Sequence, residues 1–274
     1  MKIFNIVCVI GTRPEALKMI PVIESLQKHK RFAVKTVITS QHRELLIQIL
    51  KSADIKIDTD FDVMSPNQSL NTLSANLLIY FEKYFAENSC DLVIAQGDTT
   101  TTLMSALSAF YKKIPFAHIE AGLRTSTIHN PFPEELNRRV VSLISSLHFC
   151  PTQLTANNLA RSGITQHVYV TGNTIIDTLY QFVEQVKSPE NKKIILVTCH
   201  RRENFGNPLF NICQALKMLA ARNPNIVIVL PIHPNPNVKT VILKELANIE
   251  NIILSEPLEY IELVTLLKNC YFVL

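Results

Sequence analysis

The chain has 274 residues, 47% of them apolar and 18% charged, with a formal net charge of +4. That length accommodates one large or two modest α/β domains, and six glycines, fourteen prolines and the lack of any repetitive tract exclude solenoid and disordered readings. Lys and Arg are scattered and aromatics reach only 7% with no Trp, so a nucleic-acid platform is excluded, and no apolar stretch approaches the ~20 residues that cross a bilayer.

Cysteines at 8, 90, 150, 199, 213 and 270 form no CxxC pair and several lie in apolar runs, which points to free thiols in a reducing compartment. The opening MKIFNIVCVI has a Lys before an apolar run but no small-residue cleavage site, so it reads as a first strand rather than a signal peptide. The expected location is cytoplasmic.

In chain order, the apolar run 4–10 predicts a parallel strand covered on both faces, and Gly11 turns it into a helix over 14–28. A strand at 34–39, a helix from Gln41 to Leu50, a Pro-containing loop at 64–70 and a long helix at 72–87 follow. A third strand at 91–95 ends at Gln96-Gly97-Asp98, and four threonines, 99–102, lead into a helix at 103–111. Strands at 114–119, 146–150 and 167–171 complete a first unit whose strand and helix alternation argues for a doubly wound parallel sheet with right-handed crossovers. A helix at 175–186 leads to Ser188-Pro189-Glu190-Asn191, the strongest linker signal. A second α/β unit follows, with strands at 194–198, 226–230, 251–254 and 271–274 and helices near 208–222, 238–247 and 259–268. The domains expected are 1–172 and 173–274, facing across a cleft.

The richest titratable stretch is HIEAGLRTSTIHNPFPEELNRR, from His118 to Arg139. Ligands of doubly wound sheets bind beyond the carboxyl ends of strands, so the loops Gly11 to Glu15, Gly97 to Thr102 and Glu120 to Arg124 should share a site, with Arg13, Asp98 and Glu120 close together. Asp98 also suits a plain helix cap; the four threonines, poor helix formers, are not explained that way. In the second unit, His200, Arg201 and Arg202 at a strand end read as a phosphate site, or as a buried His with surface arginines. Cys199 and His200 are adjacent on a strand and point apart, which excludes a nucleophilic dyad. His118 and Glu120 share a strand face but gain no further ligand at metal-like spacing, so no metal is assigned. His233 sits at a stiff strand exit that either lines the cleft or simply turns.

These stretches together resemble the non-hydrolysing UDP-N-acetylglucosamine 2-epimerases. The matching motifs are Gly11-Thr12-Arg13-Pro14-Glu15-Ala16, Gln41-His42-Arg43-Glu44, Gly97-Asp98-Thr99-Thr100-Thr101, His118-Ile119-Glu120-Ala121-Gly122-Leu123-Arg124, Pro133-Glu134-Glu135 with Asn137-Arg138, Thr171-Gly172-Asn173-Thr174, and Thr198 with His200-Arg201-Arg202-Glu203-Asn204. The resemblance implies two Rossmann-like domains in the glycosyltransferase-B arrangement, a homodimer, no metal and no cofactor. Its reaction interconverts UDP-N-acetylglucosamine and UDP-N-acetylmannosamine for bacterial surface polysaccharides, by anti elimination of UDP to a 2-acetamidoglucal and syn re-addition.

By the same resemblance Asp98, Glu120 and Glu134 form the acid/base set. His200 and Arg13 steady the UDP phosphates with Lys18 nearby, and Arg138, Arg201, His233, Leu258 and Leu263 contact substrate; Pro257-Leu258-Glu259-Tyr260 resembles the uracil-pocket loop. Gln96 stands where the family usually has His. Gln41, His42 and Gln68 match the family's regulatory site for a second substrate molecule, but Asn67 replaces the Arg of several bacterial members. Family members also continue beyond the position of Leu274 into an Asp-Ser-Gly-Gly loop and a Glu that hold diphosphate and ribose, so the second domain is expected to be truncated. The alternatives are a catalytically incomplete UDP-sugar-binding remnant and a hydrolysing 2-epimerase; the latter's first loop usually reads Gly-Ser-Arg-Ala-Glu.

Overall fold

A computed structural model describes residues 2–40, 43–65, 67–184, 193–199, 206–232 and 235–274. The chain divides into two compact units, Met1–Thr178 and Leu179–Leu274. This division falls a few residues beyond the boundary expected at 172 and inside a helix. The linker expected at 188–191 lies outside the described residues.

The first unit is a seven-stranded sheet of β1 (Phe4–Ile10), β2 (Phe32–Ile38), β3 (Thr59–Asp60), β4 (Leu92–Gln96), β5 (Phe116–Ile119), β6 (Leu147–Cys150) and β7 (Val168–Val170). Its order is β3-β2-β1-β4-β5-β6-β7, and every neighbouring pair is parallel. The sheet winds outward in both directions from β1 and β4, which makes the carboxyl ends of these neighbours the switch point. Val7 and Val9 of β1 enter a core with Leu77, Phe81 and Phe85, while the alternating Ile6, Cys8 and Ile10 are buried as well. Burial on both faces is why this strand reads as an unbroken apolar run.

The helices are α1 (Arg13–Gln27), α2 (Arg43–Ser52), α3 (Leu70–Glu87), α4 (Thr100–Tyr111), α5 (Glu134–Ile144), α6 (Gln153–Arg161) and α7 (Ile175–Glu184). One difference from the sequence reading, and one feature inside a helix it did predict, have physical causes. Helix α4 starts at Thr100 rather than 103 because the Thr99 hydroxyl caps it, accepting from the Thr102 amide at 3.2 Å. Helix α1 runs through Pro21, which has no N–H to offer the Leu17 carbonyl one turn earlier. The fully buried Thr178 supplies that donor from α7 at 2.5 Å, and Thr174 donates to the Lys18 carbonyl at 2.7 Å. A helix defect has become the docking point for the start of α7.

The second unit holds β8 (Lys193–Leu196), β9 (Ile226–Pro231), β10 (Ile252–Ser255) and β11 (Cys270–Val273), ordered β10-β9-β8-β11 and parallel throughout. Helices α8 (Asn207–Arg222) and α9 (Pro236–Leu246) bury Leu209, Cys213, Leu216, Val238, Ile242 and Leu246 against Ile195, Ile228 and Leu230, and α10 (Tyr260–Asn269) precedes β11. Among the described residues β11 has one strand neighbour, and Tyr271, Phe272, Val273 and Leu274 are exposed. Two parallel-sheet α/β units are thus present, as expected. All six cysteines are free thiols. No helix among the described residues is long and apolar enough to cross a membrane, and no group of three metal-ligating side chains occurs among them.

Candidate active site

Three loops of the first unit carry the candidate site residues, and each leaves the carboxyl end of a central strand. The loop after β4 bears Asp98. Its backbone is fixed on both sides: the His118 ring lies 2.7 Å from the Gly97 carbonyl through Nε2, and Asn137 Nδ2 donates to the Asp98 carbonyl at 2.7 Å. His118 is fully buried, and burial, its dominant influence, pulls the ring's pKa down to about 4. The imidazole is therefore neutral at physiological pH, with Nε2–H as the donor to Gly97.

The Asp98 carboxylate meets Arg138 Nη1 at 2.6 Å. Burial is the main influence on Asp98 and lifts its pKa; Arg138 opposes the rise through charge and hydrogen bond, and Glu134 and Glu120 add to it. The net direction is upward, although an ion pair alone would push it down. Arg138 is itself buried, with Nε and Nη2 on the Glu135 carboxylate at 3.0 and 2.8 Å. Glu135, with no exposed surface, also accepts from Arg139 at 2.8 Å and from the Thr125 amide at 3.1 Å. Burial raises Glu135, but its arginine and amide donors outweigh that and hold it below the usual carboxylate range.

Glu120 follows β5 in a left-handed backbone conformation, φ 65°. This turn, rare for a residue with a side chain, aims the carboxylate at three donors. Lys18 Nζ lies 2.6 Å away, Asn173 Nδ2 2.8 Å, and Gln96 Nε2 is in close contact. Gln96 therefore acts on Glu120 directly, a contact its place next to Gly97 in sequence does not reveal. Glu134 opens α5, and its Oε2 is buried without a hydrogen-bond partner among the described residues. The Arg13 guanidinium, at the first position of α1, likewise has no ion pair among the described residues.

Asp98, Glu120, Glu134, Lys18 and Arg138 are linked by direct bonds or charge influence, and Arg138 is held by Asp98 and Glu135. Leu258 lines an apolar cavity of about 480 Å³ with Ile194, Val229 and Ile253, whereas Leu263 is half-buried in the first turn of α10. Gln68 closes its own loop, accepting from the Ser65 amide at 3.3 Å. His200, Arg201, His233, Gln41 and His42 lie outside the described residues. An apolar cavity of about 410 Å³ between α1, β4, β5 and β6 contains none of the carboxylates above and is not the reactive site. Sequence reasoning missed Gln96 and Asn173 as Glu120 partners, and Glu135 as the anchor of Arg138.

The family profile described as UDP-N-acetylglucosamine 2-epimerase matches residues 24–274. The chain is 41% identical to the UDP-N-acetylglucosamine 2-epimerase of Campylobacter jejuni, an alignment covering 98% of this chain and 76% of that protein. The crystal structure of the Neisseria meningitidis UDP-GlcNAc 2-epimerase bound to UDP-GlcNAc superposes with a TM-score of 0.88 at 42% identity, over 98% of this chain and 77% of that one. The S. aureus MnaA-UDP co-structure gives 0.87 at 38% identity, over 100% and 74%. With matches of this extent, on a fold that agrees, the chain belongs to the UDP-N-acetylglucosamine 2-epimerase family.

Proposed function

We propose that this protein interconverts UDP-N-acetylglucosamine and UDP-N-acetylmannosamine. The observation that carries the reading is the convergence of Asp98, from the β4–α4 loop, with Glu120 and Glu134, from the two ends of the β5–α5 connection; Asp98 and Glu120 are paired with the cations Arg138 and Lys18. The C2 proton of the sugar is weakly acidic until the bond from C1 to the phosphate oxygen stretches. A site must therefore stabilise the departing diphosphate and present a base at C2 together.

In the forward step a carboxylate takes the C2 proton while the C1–O bond breaks. UDP leaves with the electron pair and a C1=C2 double bond remains. In the return step the phosphate oxygen re-attacks C1 and a carboxyl group delivers a proton to the opposite face of C2. Two faces need at least two acid/base groups, and the raised pKa of Asp98 brings it closer to the working pH. Arg13, without an ion pair among the described residues, suits the diphosphate, as do His200 and Arg201 by their residue type. Leu258, Leu263 and His233 are assigned to the nucleotide half; Gln41, His42 and Gln68 match the family's regulatory site, but Asn67 in place of Arg argues against a second, regulatory substrate molecule. The chemistry needs no metal or cofactor, and its product suits bacterial surface polysaccharide synthesis.

The protein is proposed to be a cytoplasmic homodimer, a location supported by its free thiols. Ile79 and Tyr80 of α3 and Phe110 and Tyr111 of α4 are exposed on adjoining helices, and Glu82 and Lys112 flank the same groove. Opposite charges on one apolar patch suit self-pairing about a two-fold axis. Proton NMR of the protein with UDP-N-acetylglucosamine tests the activity. UDP-N-acetylmannosamine should accumulate to an equilibrium ratio; release of free N-acetylmannosamine would mark a hydrolysing enzyme, and no product would reject the proposal.

A further inference from the structure

Glu15 is 3% exposed, and each of its hydrogen-bond partners among the described residues is neutral. Oε2 accepts from the amides of Gly11 and Thr12 at 2.7 and 2.6 Å and from the Thr12 hydroxyl at 3.1 Å. Oε1 accepts from the hydroxyls of Thr99 and Thr102 at 2.5 and 3.2 Å. One oxygen thus serves the loop entering α1 and the other the loop entering α4, so the carboxylate lies between two helix N-termini whose dipoles favour an anion. The remaining contacts of the threonine run tighten the same seam. Thr101 bonds the Thr39 hydroxyl beyond β2 at 2.8 Å, and Thr102 shares its one hydroxyl proton between Glu15 and the Gln96 carbonyl, 2.8 Å away. Gly11 is part of the fit, because a Cβ there would stand 2.6 Å from the Thr101 hydroxyl and 2.9 Å from Glu15 itself.

This arrangement accounts for three of the four consecutive threonines where a helix begins: Thr99, Thr101 and Thr102. β-Branched side chains hold few rotamers, so the Thr99 and Thr102 hydroxyls stay aimed at a carboxylate more than 80 residues away in sequence. The two loops it joins carry Arg13 on one side and Asp98 on the other.

We propose that Glu15 is a positioning residue that locks the Arg13 loop to the Asp98 loop, so that diphosphate capture and proton transfer at C2 share one rigid frame. This inference rests on the epimerase reading above. It assigns Glu15 a role through shape and hydrogen bonding rather than charge. Gln can reproduce that role: its carbonyl accepts from the Gly11 and Thr12 amides, and its NH2 donates to Thr99 and Thr102 hydroxyls turned to accept.

The test compares Glu15→Gln and Glu15→Ala in the full chain, by steady-state kinetics and by hydrogen–deuterium exchange of backbone amides. Glu15→Ala should lower kcat by about 100-fold, the cost of small misplacements, and speed exchange across 97–102; Glu15→Gln should restore both to near wild type. Faster exchange confined to 11–16 in Glu15→Ala would overturn the coupling. So would a Glu15→Gln variant with wild-type exchange but the same kcat loss as Ala, since that marks charge rather than position. Should Glu15→Ala fail to fold, Thr99→Val carries the test from the other side: exchange at 11–16 must rise, and unchanged protection there refutes the lock. Absence of turnover in the wild-type chain would reject the epimerase reading alone, because the exchange comparison stands without it.

Discussion

His118→Gln separates the hydrogen-bonding part of this buried residue from its titration. The ring sits inside the first unit among His148, Arg124 and Arg138, with its Nε2 on the Gly97 carbonyl. Burial is the largest cause of its depressed pKa, the Gly97 carbonyl opposes it, and the neighbouring His148, Arg124 and Arg138 deepen it, giving about 4 against an ordinary 6.5. Between those two values the unfolded chain binds a proton that the folded chain refuses. The stabilisation is therefore complete above about pH 6.5 and is lost as pH falls through about 4. At about 1.4 kcal/mol per pH unit the difference approaches ~3 kcal/mol. Gln retains an N–H to offer Gly97 and does not titrate. Urea unfolding at pH 7 and pH 4 should show the wild type losing ~3 kcal/mol more than the variant between the two conditions. Equal losses would mean that His118 is not held neutral by burial, and the reasoning would fail.

Other expectations follow from the same contacts. Asp98→Asn and Glu120→Gln should each lower kcat by at least ~100-fold with UDP affinity retained, measured by steady-state kinetics and calorimetry; near-wild-type turnover in both would remove them from the acid/base set. Arg138→Met strips Glu135 of its main fork and Asp98 of its cation, so stability should drop by ~3 kcal/mol and the acid limb of kcat/KM should move to higher pH; an unmoved limb would argue that Asp98 does not titrate in catalysis. Thr178→Val should cost ~1 kcal/mol or more in thermal unfolding by orphaning the Leu17 carbonyl, and no loss would mean that carbonyl has another donor. Tyr111→Glu should convert a dimer to a monomer in light scattering, and an unaltered dimer would place the interface elsewhere.

The parallel architecture was legible because its signal is local. Apolar runs at β1, β4 and β5 are followed at once by Gly11, Gly97 and the Glu120 turn, and the switch-point rule then brings the first two loops together. What stayed hidden depends on contacts between distant segments. Glu15 lies inside a recognisable motif, yet its role appears only when Thr99 and Thr102 are seen to close on it. The threonine run showed as an excess without a partner. The helix read at 14–28 runs through Pro21, but nothing in the sequence shows that Thr178, from the other end of the unit, fills the bond Pro21 cannot make. The two-residue β3 is too short to leave a periodic pattern, and it forms because Thr59 and Asp60 pair with Val37 and Ile38. Glu135, adjacent to a candidate acid/base residue, was passed over because sequence cannot tell which of two neighbouring carboxylates faces inward.

The central claim is that the carboxylates over β4 and β5 exchange the C2 proton of the sugar. Its most direct test is a proton NMR time course with UDP-N-acetylglucosamine in deuterated water, run on the wild type beside Asp98→Asn and Glu120→Gln. The account predicts that deuterium enters C2 as UDP-N-acetylmannosamine forms, and that both variants slow its entry. Epimerisation with protium retained at C2, or undiminished exchange in both variants, would contradict it.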